Sequence, residues 1–171
     1  MPDNDIIRSL FITGLRNAHA MENQALSIMK PQVSRIENYP EVASRLQQHI
    51  EETDEQIRRI EQVLEGLGES KSSLKDTALS LGGSMAAIGH TMAPDEIVKN
   101  SFANFAFENY EIAAYKSLLA LASQAGNERA VELLGLNLDE EIAMADWLDQ
   151  NIEAVTLQYA ALRESGETAK K

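Results

Sequence analysis

The sequence predicts an all-α protein: an up-down four-helix bundle with a long crossover between its second and third helices. Three observations carry this expectation. Ala, Leu, Glu, Gln, Ile and Met dominate, while only four Pro and nine Gly occur in 171 residues, the vocabulary of helices. Apolar residues recur at i, i+3, i+4 and i+7 through four long stretches. Those stretches come as a pair, a Gly-interrupted gap and a second pair, the plan of a bundle with one overhand connection. The length suits one domain covering residues 1–171.

The first helix is expected over 5–36, with Phe11, Leu15, Ala18, Leu26, Met29 and Val33 on one face and Pro31 loosening its last turns. Asn38-Tyr39-Pro40 forms a turn, and Pro40 suits the first position of a second helix over 40–66. Leu46, Ile50, Ile57, Ile60 and Leu64 face inward there, until Gly66 and Gly68 end the helix. Residues 67–93 form the crossover, with room for a short extra helix, and carry His90, which is given no catalytic role. Pro94-Asp95-Glu96 reads as the first turn of a third helix over 94–125, ended by Gly126. Asn127 is placed to cap a fourth helix over 127–163, after which the polar tail ESGETAKK is expected to fray.

A net charge of −12 argues against nucleic acid or an anionic membrane as partner. The absence of Cys removes disulfide and thiolate chemistry. No apolar run approaches the ~18 residues of a membrane span, and MPDNDIIRSL lacks the pattern of a secretory signal. A cytoplasmic protein is expected.

One charge interrupts the apolar pattern. Glu22 lies within roughly 40° of every member of the first helix's stripe, so the helix points a carboxylate at the core. A buried, unpaired carboxylate costs several kcal/mol, so it requires a partner. Glu141 on the fourth helix repeats the situation, sharing a face with Leu134, Ala145, Leu148 and Ile152. On the third helix Glu111 sits with Phe107, Tyr115 and Leu118, and Glu108 is one turn earlier. The second helix offers His49 and Glu52, with Gln56 nearby and Glu52 at the edge of its apolar arc.

Glu22 and Glu52 are 30 residues apart, as are Glu111 and Glu141, and the two helix pairs are offset by 89. This echo brings four carboxylates to one level around a pseudo-twofold axis. Two divalent metals would balance their charge, and oxygen donors with an imidazole suit iron or manganese. The usual Glu-x-x-His pairs of such sites are missing: His49-x-x-Glu52 and His19-x-x-Glu22 run in the reverse order.

The segments LRNAHAMENQA, RIENYPEVASR, QHIEETDEQI, APDEIVK, FENYEIAAYKSLLA and LDEEIAMADWLDQNI resemble, in order and over nearly the whole chain, the YciE/YciF-like (DUF892) proteins of bacteria, YciE most closely. The resemblance implies a ferritin-like fold, an association with stress and a di-iron site. Its carboxylates fall on Glu22, Glu52, Glu108, Glu111 and Glu141, with His49 in the same cluster. The expected function is that of a carboxylate-bridged di-iron protein, a homodimer, reacting with dioxygen or peroxide. The competing expectations are a helical stress or binding protein whose metal is structural or absent, and a di-manganese centre that dismutates peroxide. Tyr110 and Tyr115 are candidates for electron relay or for hydrogen bonds to a ligand carboxylate, and Trp147 for an interface anchor.

Overall fold

The computed structural model describes residues 4–69 and 93–170. Among the described residues there are four helices: α1 Asn4–Val33, α2 Pro40–Gly66, α3 Glu96–Gln124 and α4 Glu128–Ser165. The predicted punctuation holds where its chemistry is local. Pro40 occupies the first turn of α2, Gly68 takes φ 81° beyond its end, and Gly126 takes φ 65° after α3. Asn127 Oδ1 accepts from Ala130 N at 3.0 Å, capping α4. α1 stops two residues after Pro31, three short of the expected end, and the chain leaves through a tight turn with Arg35 N and Ile36 N both on Gln32 O. The short extra helix and His90 lie outside the described residues.

α1 packs on α2 and α3, and α4 packs on the same two helices, so α1/α4 and α2/α3 stand on the diagonals. Every adjacent pair is antiparallel. Along α1 and α3, Glu22 meets Tyr115 while Gln32 meets Asn104; along α2 and α4, Gln56 meets Glu140 while Asn38, just before α2, meets Gln158. The diagonal partners α2 and α3 therefore run parallel, and the connection between them has to return the length of the bundle, roughly 40 Å for a helix of this size. The long crossover follows from that direction alone.

The core is one continuous cluster running from Phe11, Leu15 and Met29 of α1 through Leu46 and Ile60 of α2 to Leu118, Leu134, Met144 and Leu148. Met21, Met29 and Met144 are buried within it as gap-filling side chains. At mid-height a polar layer crosses this core.

The polar tail does not fray. Gly166, at φ 76°, reverses the chain, and residues 168–170 lie back over the end of the bundle. Asn38 Nδ2 donates to Thr168 O and Tyr39 Oη to Ala169 O, both at 2.7 Å, while Ile97 N donates to Lys170 O at 3.0 Å. Lys170 also joins Arg35 at the buried Glu96 carboxylate, which Arg35 holds through two bonds of 3.0 and 2.9 Å. Truncation after Gly166 is expected to cost about 2–4 kcal/mol, since three hydrogen bonds and the burial of Tyr39 go together. Thermal unfolding of the truncated chain measures it.

Candidate metal centre

Four residues from three helices meet in the polar layer. α2 turns His49 inward, α3 contributes Glu108 and Glu111 one turn apart, and α4 contributes Glu141; each offers one ligand atom within 4.8 Å of the others. All four are 3% exposed or less. His49 Nε2 reaches across the diagonal to lie 3.1 Å from Glu108 Oε2 and 3.4 Å from Glu141 Oε2. Among the described residues both oxygens of Glu111 and Glu141 Oε1 are buried without a hydrogen-bond partner, and Glu108 Oε2 and Glu141 Oε2 meet only His49 Nε2. Native proteins seldom leave such atoms unsatisfied. Several hard oxygen donors and one imidazole, gathered at one point with lone pairs unspent, fit a divalent cation of the iron or manganese kind.

The electrostatics agree. Burial raises Glu111 well above the carboxylate range, and Glu22, Glu141 and Glu108 add to it in that order. Glu141 is likewise raised by burial, which His49 partly opposes. For His49 burial alone would depress basicity, but the carboxylates, Glu108 foremost, hold the imidazole well above its usual range. The cluster holds protons for want of other positive charge.

Glu22 stands beside this group. It is 1% exposed, and burial pushes it up to about 8 against the hydrogen bond from Tyr115. The Tyr115 hydroxyl donates to Glu22 Oε1 and accepts from Asn137 Nδ2 at 3.0 Å. Behind it Arg59 donates to Asn137 Oδ1 at 2.9 Å and grips Glu140 with two bonds of 2.7 and 2.9 Å. Gln56 is fully buried, giving its amide to Glu140 at 3.1 Å, and its Oε1 has no partner among the described residues. This chain runs from the centre of the bundle to its surface and fixes the Glu22 carboxylate.

Glu52 points the other way. Its oxygens meet Arg45 at 3.1 Å, Gln48 at 2.8 Å and His49 Nδ1 at 2.8 Å, and its side chain is 20% exposed. Partial burial would raise its pKa, yet His49 and Arg45 bring it down to about 2. A carboxylate on Nδ1 orients a ligating histidine and leaves Nε2 to face the ion. Glu52→Ala is therefore expected to weaken metal affinity about 10–100-fold at unchanged stoichiometry; a calorimetric titration in which the stoichiometry drops would instead make Glu52 a ligand.

The six residues singled out in the sequence thus divide in three: His49, Glu108, Glu111 and Glu141 come together, Glu22 adjoins them under Tyr115, and Glu52 backs His49. His19 is elsewhere, with Nε2 3.3 Å from Glu61 Oε1. Tyr110 is 56% exposed, and Trp147 lines an open groove with Arg45 and Gln48. Sequence reasoning passed over Asn137, Arg59, Glu140 and Arg45. Asn137, one turn before Glu141 on the same face, carried a readable signal.

Comparison with known proteins identifies relatives of the chain. Protein YciF of Escherichia coli (strain K12) is 32% identical over 148 residues, covering 80% of this chain and 84% of that protein. The crystal structure of a protein from Xanthomonas campestris pv. campestris matches with TM-score 0.78 and 32% identity, over 92% of this chain and 98% of that one. The crystal structure of YciF, described as an E. coli stress protein, matches with TM-score 0.65 and 27% identity, over 89% and 96%. These relatives supply YciF as a named homologue and leave the expected nearness to YciE without support. Residues 7–161 match the model of the domain of unknown function DUF892, and the chain belongs to that family.

Proposed function

We propose that the chain is a ferritin-like oxidoreductase with a pair of iron ions in the bundle core. Glu108, Glu111, Glu141 and His49 Nε2 would hold the metals together with Glu22. The observation that carries this reading is the set of five buried carboxylate oxygens around one imidazole nitrogen, three of them without a partner among the described residues and two met only by His49 Nε2. Iron bound there supplies one-electron chemistry toward dioxygen or hydrogen peroxide.

The chain's own residues supply the rest. Glu52 keeps the Nδ1 proton of His49 and so presents Nε2 as a lone pair. Tyr115 pins one oxygen of Glu22 and leaves the other to the centre. Leu15, Leu134, Met144 and Leu148, none more than 2% exposed, keep bulk water out. Among the described residues no helix is long and apolar enough to cross a membrane, which accords with the cytoplasmic setting we assign. A homodimer belongs to the same reading, as the commonest assembly of soluble chains. So does a role under stress, by analogy with the E. coli relative.

Metal analysis of untagged protein tests the proposal. About two irons per chain are expected, natively or after anaerobic reconstitution with Fe(II). Less than about half a metal per chain by either route would leave a purely structural helical protein. Manganese with peroxide-dismutating activity would replace iron, since the same donors suit both.

A further inference from the structure

A cleft between α1 and α3 reaches the centre from outside the polar network. It encloses about 300 Å³ with its mouth included, and its interior of about 10 Å³ is just large enough for one water-sized molecule. Ala25, Ile28 and Met29 form one wall and Ala103, Asn104 and Phe107 the other, with Glu108 at its end. Ile28 and Ala103 are half-buried and mark the mouth; the remaining lining residues are buried. Exposed positions beside it, Ser27, Phe102 and Ala106, carry no charge, in a protein of net charge −12.

The cleft is polar at a single point. Asn104 is turned to Gln32, giving and receiving hydrogen bonds of 2.9 and 3.1 Å. Only the Glu108 carboxylate remains, and its buried Oε2 is turned to His49 Nε2 at 3.1 Å. A water held in such a place needs two to four polar partners and would find about one. Hydrogen peroxide, with two O–H donors to satisfy, would lose its hydration on the way in at a cost of a few kcal/mol. A small apolar molecule loses nothing.

The geometry points to this cleft as a binding and access site for dioxygen, opening onto the metal centre at Glu108. The inference rests on the metal-centre reading above and adds which oxidant the protein admits and by which side. The polar side, where Arg45, Glu52 and Gln48 lie between α2 and α4, has no part in it.

Two measurements test it. Crystals of the metal-free protein under xenon pressure are expected to show a peak between Ala25, Phe107 and Glu108; a cleft without xenon overturns the proposal, whatever metal the protein binds. In iron-loaded protein, Ala103→Phe is expected to slow Fe(II) oxidation by dioxygen about tenfold while leaving oxidation by added hydrogen peroxide and the iron stoichiometry unchanged. Equal slowing with both oxidants, or no slowing, overturns it. Should Ala103→Phe fail to fold, Ala103→Leu narrows the same mouth with less bulk. Failure of the metal-centre reading registers separately, as absence of bound iron in the wild type.

Discussion

Glu111→Gln is expected to make the metal-free protein more stable by about 1–3 kcal/mol while abolishing its stabilisation by Fe(II) or Mn(II). Glu111 is fully buried and neither of its oxygens has a hydrogen-bond partner among the described residues. A glutamine of the same shape removes one acid from a group of four and brings two N–H donors to Glu22 and Glu141, which flank it. For a chain of this size the gain corresponds to a melting temperature raised by about 2–4 °C per kcal/mol. The wild type should show the reverse: lower stability alone and a large, concentration-dependent rise with metal. The signs matter more than the sizes. A carboxylate kept for packing would lose stability on substitution, whereas one kept for a ligand gains stability and loses function. Calorimetric scans of both proteins with and without Mn(II) separate the two cases.

The second large effect is of pH. Burial raises Glu22 from an ordinary 4.5 to about 8, and Glu111, Glu141 and His49 shift in the same direction. A group whose folded pKa lies above its unfolded value contributes stability that is complete below the unfolded pKa and is lost as pH rises through the folded one. Glu52 opposes them: at about 2 in the fold, its contribution is present above 4.5 and is lost only as pH falls toward 2. The metal-free protein is therefore expected to lose a few kcal/mol between about pH 5 and pH 8, at roughly 1.4 kcal/mol per unit for each proton released. Metal ions displace these protons, so affinity rises over the same range and loaded protein stays stable. Melting curves taken across that range, with and without Mn(II), should diverge as pH increases. Parallel curves would contradict the idea that one cluster holds both protons and metal.

Much of the architecture was legible because its causes are local. Pro40, Gly126 and Asn127 act within one turn of where they stand, so their chemistry can be read without the fold. The inward carboxylates were legible for a related reason: Glu22, Glu111 and Glu141 each sit at the centre of an apolar arc, where helical period alone sets direction. Glu52, at the edge of its arc, can turn either way, and the choice is made by Arg45 and His49 on its own helix. The 30-residue echo matched Glu52 with Glu141 yet could not see that only one of them faces the core. The tail eluded sequence for another reason. ESGETAKK is polar, and it is held largely through its own carbonyls at Thr168, Ala169 and Lys170, groups that every residue carries and no composition reveals. Arg59 was hidden similarly, since its importance lies in holding the Asn137 that supports the Tyr115 hydroxyl on another helix.

The central claim, that these carboxylates exist to hold metal, meets its most direct test in crystals grown or soaked anaerobically with Fe(II) and measured on both sides of the iron edge. Two anomalous peaks are expected among Glu22, His49, Glu108, Glu111 and Glu141, with Glu52 still bound to Arg45 and His49 Nδ1. Crystals that take up no iron there, with the five side chains arranged as they are without metal, would contradict it.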